Sequence, residues 1–335
     1  MFDDEINNYS NMNVATLRTG VIVHGNSGND PRTPPYWLDR ERFKRGQRFF
    51  RRHMAATCFA LHCSLTVGFG VLNLIEPLSF SRNSDTAEKA LTRYIKTFVH
   101  IALWHLEDIW DVNSNAHKST QRVRKMHSKV RKAMAAADPT RQHISQYDEG
   151  IVQAGFMAFV SMYPSDFGIK CKKQDVADYF YFWRGIGYLI GIKDEYNLCS
   201  GGYDTTYRVC KEIEYDFVYR GICNPPKDYE LLANAYTDAV NSLLRGFRVF
   251  TKESINAFTF GIMKLPLPKT VSLTLMDRLR VLLFKLLVFS MRWVPFVERL
   301  LNCLAMSVYK IGVAVEYDSL LIETHTVLDN VSKSN

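Results

Sequence analysis

From Met54 to Ile75 the chain carries no Lys, Arg, Asp or Glu. So long an apolar run has two stable homes, a bilayer or the middle of a large core. His62, Ser64, Thr66 and Asn73 dilute it, which favours a core helix over a span. The rest of the chain must then supply that core. It has 335 residues, 47% of them hydrophobic and 23% charged, enough for one large domain and too apolar for wholesale disorder.

The punctuation around this run is helical throughout. Trp37–Phe50 reads as a first helix, and Glu76-Pro77 reads as the end of the apolar one. Asp85 and Glu88 have capping-box spacing at the start of a helix over Thr86–Trp110. After the polar turn Asp111–Asn115, a further helix over His117–Ala136 stops before Asp138-Pro139. Tyr147–Tyr163 ends at Pro164, and Asp175–Ile190 ends at Gly191. Asp228–Phe250 and Thr274–Ala314 complete the set, with Leu265-Pro266-Leu267-Pro268 as a linker. Strand and hairpin signals are sparse. The expected class is all-α: a tail over residues 1–35, a domain over 36–262, and an apolar amphipathic helical region over 263–335.

Several function classes recede. The seven cysteines are irregularly spaced and form no CxxC pair, against a zinc ribbon or covalent haem attachment. His100 and His105 near Glu107, Asp108 and Asp111 lack the spacing of a metal-binding helix pair. The net charge of +8 calls for acidic partners without choosing among them. No nucleic-acid motif accompanies the basic run Lys118–Lys132, so no nucleic-acid partner is expected. Without a signal-like N-terminus, an intracellular setting is expected.

On a helix, Arg93, Lys96, Thr97 and His100 share one face. Val123, His127 and Val130 share a face of the next helix, with Arg124 and Arg131 beside them. A short loop sets the two helices antiparallel. A flat macrocycle fits between such faces, with an imidazole on one side and cations on the other. From spacing alone, the readings to expect are a surface or half-buried histidine on a basic helix and, for Lys96 and Arg93, a solvated charge pair.

Arg93-x-x-Lys96-Thr97, followed by Arg122-Val-Arg-Lys-Met-His127-Ser-Lys-Val-Arg131, resembles the pocket motifs of the rubber oxygenase (latex-clearing protein) and ER-bound oxygenase catalytic-domain family. Phe182-Trp183-Arg184 and the Gly turn at Ile190-Gly191 resemble that family's aromatic–arginine helix. The likeness covers roughly residues 40 to 255 and implies a globin-like helical core with additional helices. It implies haem b, held by His127 as the iron ligand, with Arg93, Lys96 and Thr97 on the distal side. Arg131 and Arg124 would support the haem edge, where arginines suit propionates, or the histidine. The family's distal glutamate matches Glu76 only with a one-residue shift, and a helix-end glutamate before Pro77 fits the same place. The implied activity is O₂-dependent oxidation or cleavage of an apolar unsaturated isoprenoid or lipid. The alternative is a non-catalytic haem sensor or carrier, or an interaction protein with a degenerate pocket.

Arg278, Lys285, Arg292 and Arg299 recur every seven residues in the apolar C-terminal region. A basic amphipathic helix of this kind suits a membrane surface, peripheral to the endoplasmic reticulum or another membrane. A helix packed on the domain with one solvated edge suits the same pattern, and Pro295 should kink it.

Overall fold

The computed structural model describes residues 12–332, with the side chains of residues 12–294 and 296–314. In chain order its helices are α1 (Val14–Arg18), α2 (Arg40–Arg52), α3 (Met54–Gly68), α4 (Leu72–Ser81), α5 (Ala87–Leu106), α6 (Asn115–Ala137) and α7 (Gln146–Met162). They continue with α8 (Lys173–Ile190), α9 (Gly202–Ile213), α10 (Arg220–Cys223), α11 (Tyr229–Leu243), α12 (Lys252–Met263), α13 (Leu275–Trp293) and α14 (Pro295–Ser332). A π-helical stretch, Glu214–Tyr219, joins α9 to α10. No strand occurs among the described residues, so the fold is all-α.

The charge-free run folds as two helices instead of one. α3 ends at Gly68 and α4 leaves it at 84°. The break follows from a backbone contact: a Cβ on Gly221 would meet the Gly70 carbonyl oxygen at 2.1 Å, so only glycine lets the two segments touch. Pro77 therefore does not stop the helix, and Glu76-Pro77 lies inside α4. Proline deprives the Asn73 carbonyl of its helical donor, but both residues are half-exposed and water can replace it. No single described helix is long and apolar enough to cross a membrane.

Other boundaries shift for identifiable reasons. Thr86, not Asp85, caps α5 by accepting from the Lys89 amide, while Asp85 pairs with Lys89 Nζ at 2.7 Å. α5 stops at Leu106 because Glu107 turns its carboxylate onto the Ala116 amide, 3.1 Å away at the start of α6. α11 ends at Leu243, short of Phe250, where Arg245 (φ 56°) and Gly246 (φ 79°) take left-handed backbone. Ser145 and Asp148 form a reciprocal cap on α7, and Gly191 (φ 105°) closes α8 as expected.

The core centres on α2, α3, α7 and α8. Phe43, Phe50, Phe182, Tyr179 and Trp183 are nearly or wholly removed from solvent, each stabilising the fold by roughly 3 kcal/mol. Residues 12–35, read from the sequence as part of a tail, are instead tied down. Leu17 is wholly buried, the Ser27 amide donates to the Gly191 carbonyl at 2.8 Å, and the Gln146 amide to Val23 at 3.1 Å. Residues 1–11 lie outside the described set. The C-terminal region is not a separate body. α13 buries Phe284, Val288 and Met291 against the domain, and Asn302 on α14 accepts from the Ala55 amide at 2.8 Å. The kink falls at Val294-Pro295.

Candidate functional site

α5 and α6 run antiparallel and are pinned at one end. Ser119 Oγ on α6 meets His100 Nδ1 at 2.7 Å and accepts from Trp104 Nε1 at 2.9 Å. Trp104 meets Trp183 edge-on, and Phe156 of α7 stacks on Trp183 with centroids 5.7 Å apart. These contacts join α5 to α6 and, through Trp183 of α8, to α7. Helix rise sets the height of everything above this junction. His127 stands roughly 12 Å up α6 from Ser119, and Lys96 and Arg93 stand roughly 6 and 10 Å up α5 from His100. His127 and Arg93 therefore stand at similar heights above it, with Lys96 lower.

His127 Nδ1 donates to Glu149 Oε1 at 2.9 Å, and its side chain is 29% exposed. Nε2 makes no hydrogen bond among the described residues. Glu149 is buried and also accepts from Arg131 Nη2 at 3.2 Å, while Arg131 Nε donates to the Ile144 carbonyl at 2.9 Å. Burial pushes the Arg131 guanidinium below its ordinary value, and Glu149 pulls it back up. The carboxylate fixes the ring tautomer and leaves the Nε2 lone pair directed away from it.

On α5, Arg93 is half-buried and donates to Ser81 Oγ at 3.1 Å, with no carboxylate partner among the described residues. Burial pushes its guanidinium below the ordinary value. Lys96 is half-buried and makes no hydrogen bond or ion pair among the described residues. Thr97 Oγ1 donates to the Arg93 carbonyl at 3.1 Å. Two unneutralised cations on one half-buried face are costly, and an anionic or electron-rich guest would relieve them.

α7 brings Glu149 to His127 and Arg131. Glu149, Val152, Gly155 and Phe156 share a face, and Gly155 is exposed although Ala154 and Met157 beside it are buried. A Cβ at Gly155 would meet nothing within 4 Å. This open, solvent-exposed space in front of Gly155 is a shallow cradle on α7. An oriented imidazole with a free nitrogen, a cationic face and this cradle form a donor set that fits a planar, carboxylate-bearing macrocycle such as haem.

Other expected site residues lie elsewhere. Arg124 Nη2 donates to Asn29 Oδ1 at 3.0 Å and also to Asn26 Oδ1. It anchors the N-terminal segment, so its expected pairing with a cofactor carboxylate gives way to a structural role. Arg131 supports the histidine through Glu149. Glu76 Oε2 accepts from Arg141 Nη2 at 2.8 Å at the edge of a separate cleft of about 370 Å³ lined by Met134 and His143. His105 lies between Phe50 and Phe182, its Nδ1 donating to the Ile101 carbonyl at 2.7 Å. Burial pushes it down to about 3. Among the described residues no group of three or more His, Cys, Asp or Glu gathers as a metal cage.

Glu149 and Gly155 escaped the sequence reading. An acid one residue past the Ser145–Asp148 cap looks like ordinary first-turn chemistry, although its place ahead of an apolar helix was a usable signal.

The chain matches the model of the family described as ER-bound oxygenase mpaB/B′/rubber oxygenase, catalytic domain, over residues 40–294. Among solved structures it resembles that of Latex Clearing Protein LCP in the closed state, with a TM-score of 0.62 and 16% identity, covering 88% of this chain and 84% of that one. No curated protein matches the chain.

Proposed function

Because this chain belongs to the ER-bound oxygenase mpaB/B′/rubber oxygenase catalytic-domain family, we propose that it is a haem-b-dependent oxygenase acting on an apolar unsaturated substrate. The observation that carries the reading is the pairing of His127 Nδ1 with Glu149, which leaves Nε2 without a hydrogen bond among the described residues, together with two cations on α5 that have no carboxylate partner among those residues.

When bound, haem iron supplies the electrons that make O₂ reactive. His127 would hold it through Nε2, with Glu149 accepting from Nδ1 and fixing the angle of the ring. Arg93 and Lys96 would stabilise negative charge developing on oxygen, in a site where half-burial makes each cation count for more than it would in water. Thr97 keeps its hydroxyl on the Arg93 carbonyl, which fixes the turn bearing both cations. Glu76 as a proton acceptor belongs to the proposal only if it leaves Arg141, and full activity in Glu76→Gln removes it. An apolar substrate, isoprenoid or other lipid, accords with half-exposed Leu61 and Leu65 on α3 and Phe156 on α7. Such a substrate partitions into lipid, and a peripheral location on the endoplasmic reticulum or another membrane suits it.

The test is the pyridine haemochrome spectrum of the purified full-length chain loaded with hemin. Stoichiometric haem, lost in His127→Ala, is expected. Oxygen uptake with an unsaturated lipid should fall in Lys96→Ala and Arg93→Ala while haem is retained. Absence of stoichiometric binding by the unsubstituted chain ends the haem reading. Binding without oxygen uptake makes the protein a haem carrier or sensor.

A further inference from the structure

α13 and α14 are apolar on two sides. The inner side of α13 packs on the domain through Phe284, Val288 and Met291. The outer side presents Leu275, Leu279, Leu282, Leu286, Phe289 and Trp293 to solvent, spaced as one helical stripe. α14 continues the pattern. Its inner residues include Asn302, bonded to the α2–α3 junction, and Gly312, packed on Ile95 and Val99. Outward stand Phe296, Leu300, Leu304 and Ile311. The exposures are large for such side chains, 84% at Leu275 and 69% at Phe296. Next to the start of α13, which holds the Arg248 carbonyl through Arg280 Nε at 3.0 Å, a loop tip raises Phe247 to 73% exposure. Apolar patches of this extent mark an interaction surface.

The charges choose the partner. In residues 274–314 the acids are Asp277 and Glu298. Both turn inward, Asp277 onto Thr251, Thr274 and Arg280, and Glu298 onto His53. The exposed charges are Arg278, Lys285, Arg299 and Lys310, all positive. Beneath the start of α13 is a cleft of about 330 Å³ lined by Phe260, Leu265, Leu267 and Val281, with Arg278 its only charged lining residue. An apolar recess with one cation on its lining matches an acyl chain beneath an anionic headgroup. Trp293, with its ring 4.2 Å from Lys170 Nζ, is the side chain expected at the depth of lipid headgroups.

We propose that the outer faces of α13 and α14 dock the protein on an anionic bilayer, lying in the interface rather than crossing it. The two faces would sink into the headgroup–acyl boundary, with Arg278, Lys285 and Arg299 reaching lipid phosphates and Phe247 inserting beside them. The proposal does not depend on haem.

Flotation of the full chain with vesicles tests it. Binding is expected to vesicles of phosphatidylcholine with about one-third phosphatidylserine, and much less to phosphatidylcholine alone. Each of Arg278→Gln, Lys285→Gln and Arg299→Gln should weaken binding about fivefold, since a cation near an anionic surface contributes about 1 kcal/mol. Leu282→Glu with Phe289→Glu should abolish flotation. Both sites are exposed, so the far-ultraviolet circular dichroism and melting temperature should stay unchanged, and hemin binding by the same variant should persist. Absence of flotation by the unsubstituted chain overturns the proposal. So does a stable dimer that the Leu282→Glu/Phe289→Glu pair dissociates while flotation is unaffected, since a second copy of the chain would then be the occupant.

Discussion

His127 Nδ1 and Glu149 Oε1 lie 2.9 Å apart, and the same carboxylate oxygen holds Arg131 Nη2 at 3.2 Å. One buried acid thus couples an imidazole on α6 to a buried guanidinium on the same helix. The two neighbours ask different things of it: Arg131 needs the charge, and His127 needs an acceptor that fixes its tautomer.

That difference yields the first prediction. Glu149→Gln retains an acceptor and the side-chain size while removing the charge, so hemin affinity should fall 10- to 100-fold, the usual effect of losing a ligand's outer partner. Glu149→Ala leaves Arg131 buried without its counter-charge and should destabilise the fold by about 3–5 kcal/mol. Hemin titration and urea unfolding separate the two effects. Equal hemin affinity in Glu149→Gln and the unsubstituted chain would show that the imidazole is not a ligand.

A second prediction concerns Lys96, which is half-buried and unpaired among the described residues. A lysine kept for structure loses stability when replaced; one kept for a guest does not. Lys96→Met keeps the aliphatic stem and removes an uncompensated charge, so stability should be unchanged or rise by about 1 kcal/mol. Oxygen uptake by the haem-loaded protein should fall on the order of 100-fold, as when one preorganised donor is removed from developing negative charge. A large drop in stability with uptake unchanged would make Lys96 structural.

Much of this was legible in the sequence. Helix existence, the antiparallel pairing of α5 and α6, the Gly191 stop and the Pro295 kink all rest on local chemistry that leaves a local trace. The α3–α4 break was not legible, because it depends on Gly70 touching Gly221, a contact between residues far apart in the chain. Pro77 misled because proline is a stop signal only where the helix has no other way to satisfy the carbonyl four residues back. The cationic face and His127 were visible as spacing. Glu149, Gly155 and the Asn26–Arg124 anchor were not, since each gains its meaning from a tertiary neighbour. Residues 12–35 have loop composition, yet they are held by backbone bonds to Gln146 and Gly191 that composition does not record.

Gly155 offers a direct probe of the cradle. Replacing a helical glycine with alanine stabilises a helix by about 0.5–1 kcal/mol where space allows, and a Cβ here has nothing within 4 Å. Gly155→Ala should raise the melting temperature and leave hemin binding intact. Gly155→Phe should keep the fold and exclude a macrocycle, so hemin binding should be lost without loss of helical signal. If Gly155→Phe binds hemin as well as Gly155→Ala does, the open space in front of Gly155 is not where hemin sits.

The last prediction is a pH dependence that belongs to the fold rather than the site. His105 is wholly buried between Phe50 and Phe182, with its value pushed down to about 3 by desolvation, whereas in the unfolded chain it returns to about 6.5. Between those values the unfolded state binds a proton that the folded state refuses, so the folded form loses stability as pH falls below 6.5. From pH 7 to pH 5 this one residue should account for about 2 kcal/mol of lost stability. His62 is also buried and pushed down to about 3, which doubles the slope. His105→Phe preserves an aromatic of similar breadth, gives up the Ile101 bond at a cost of about 1 kcal/mol at pH 7, and removes half of that acid sensitivity. Urea midpoints of both proteins at pH 7 and pH 5 should therefore lie closer together at pH 5 than at pH 7, or cross. Parallel shifts in the two proteins would mean that His105 is solvated or already protonated in the native state.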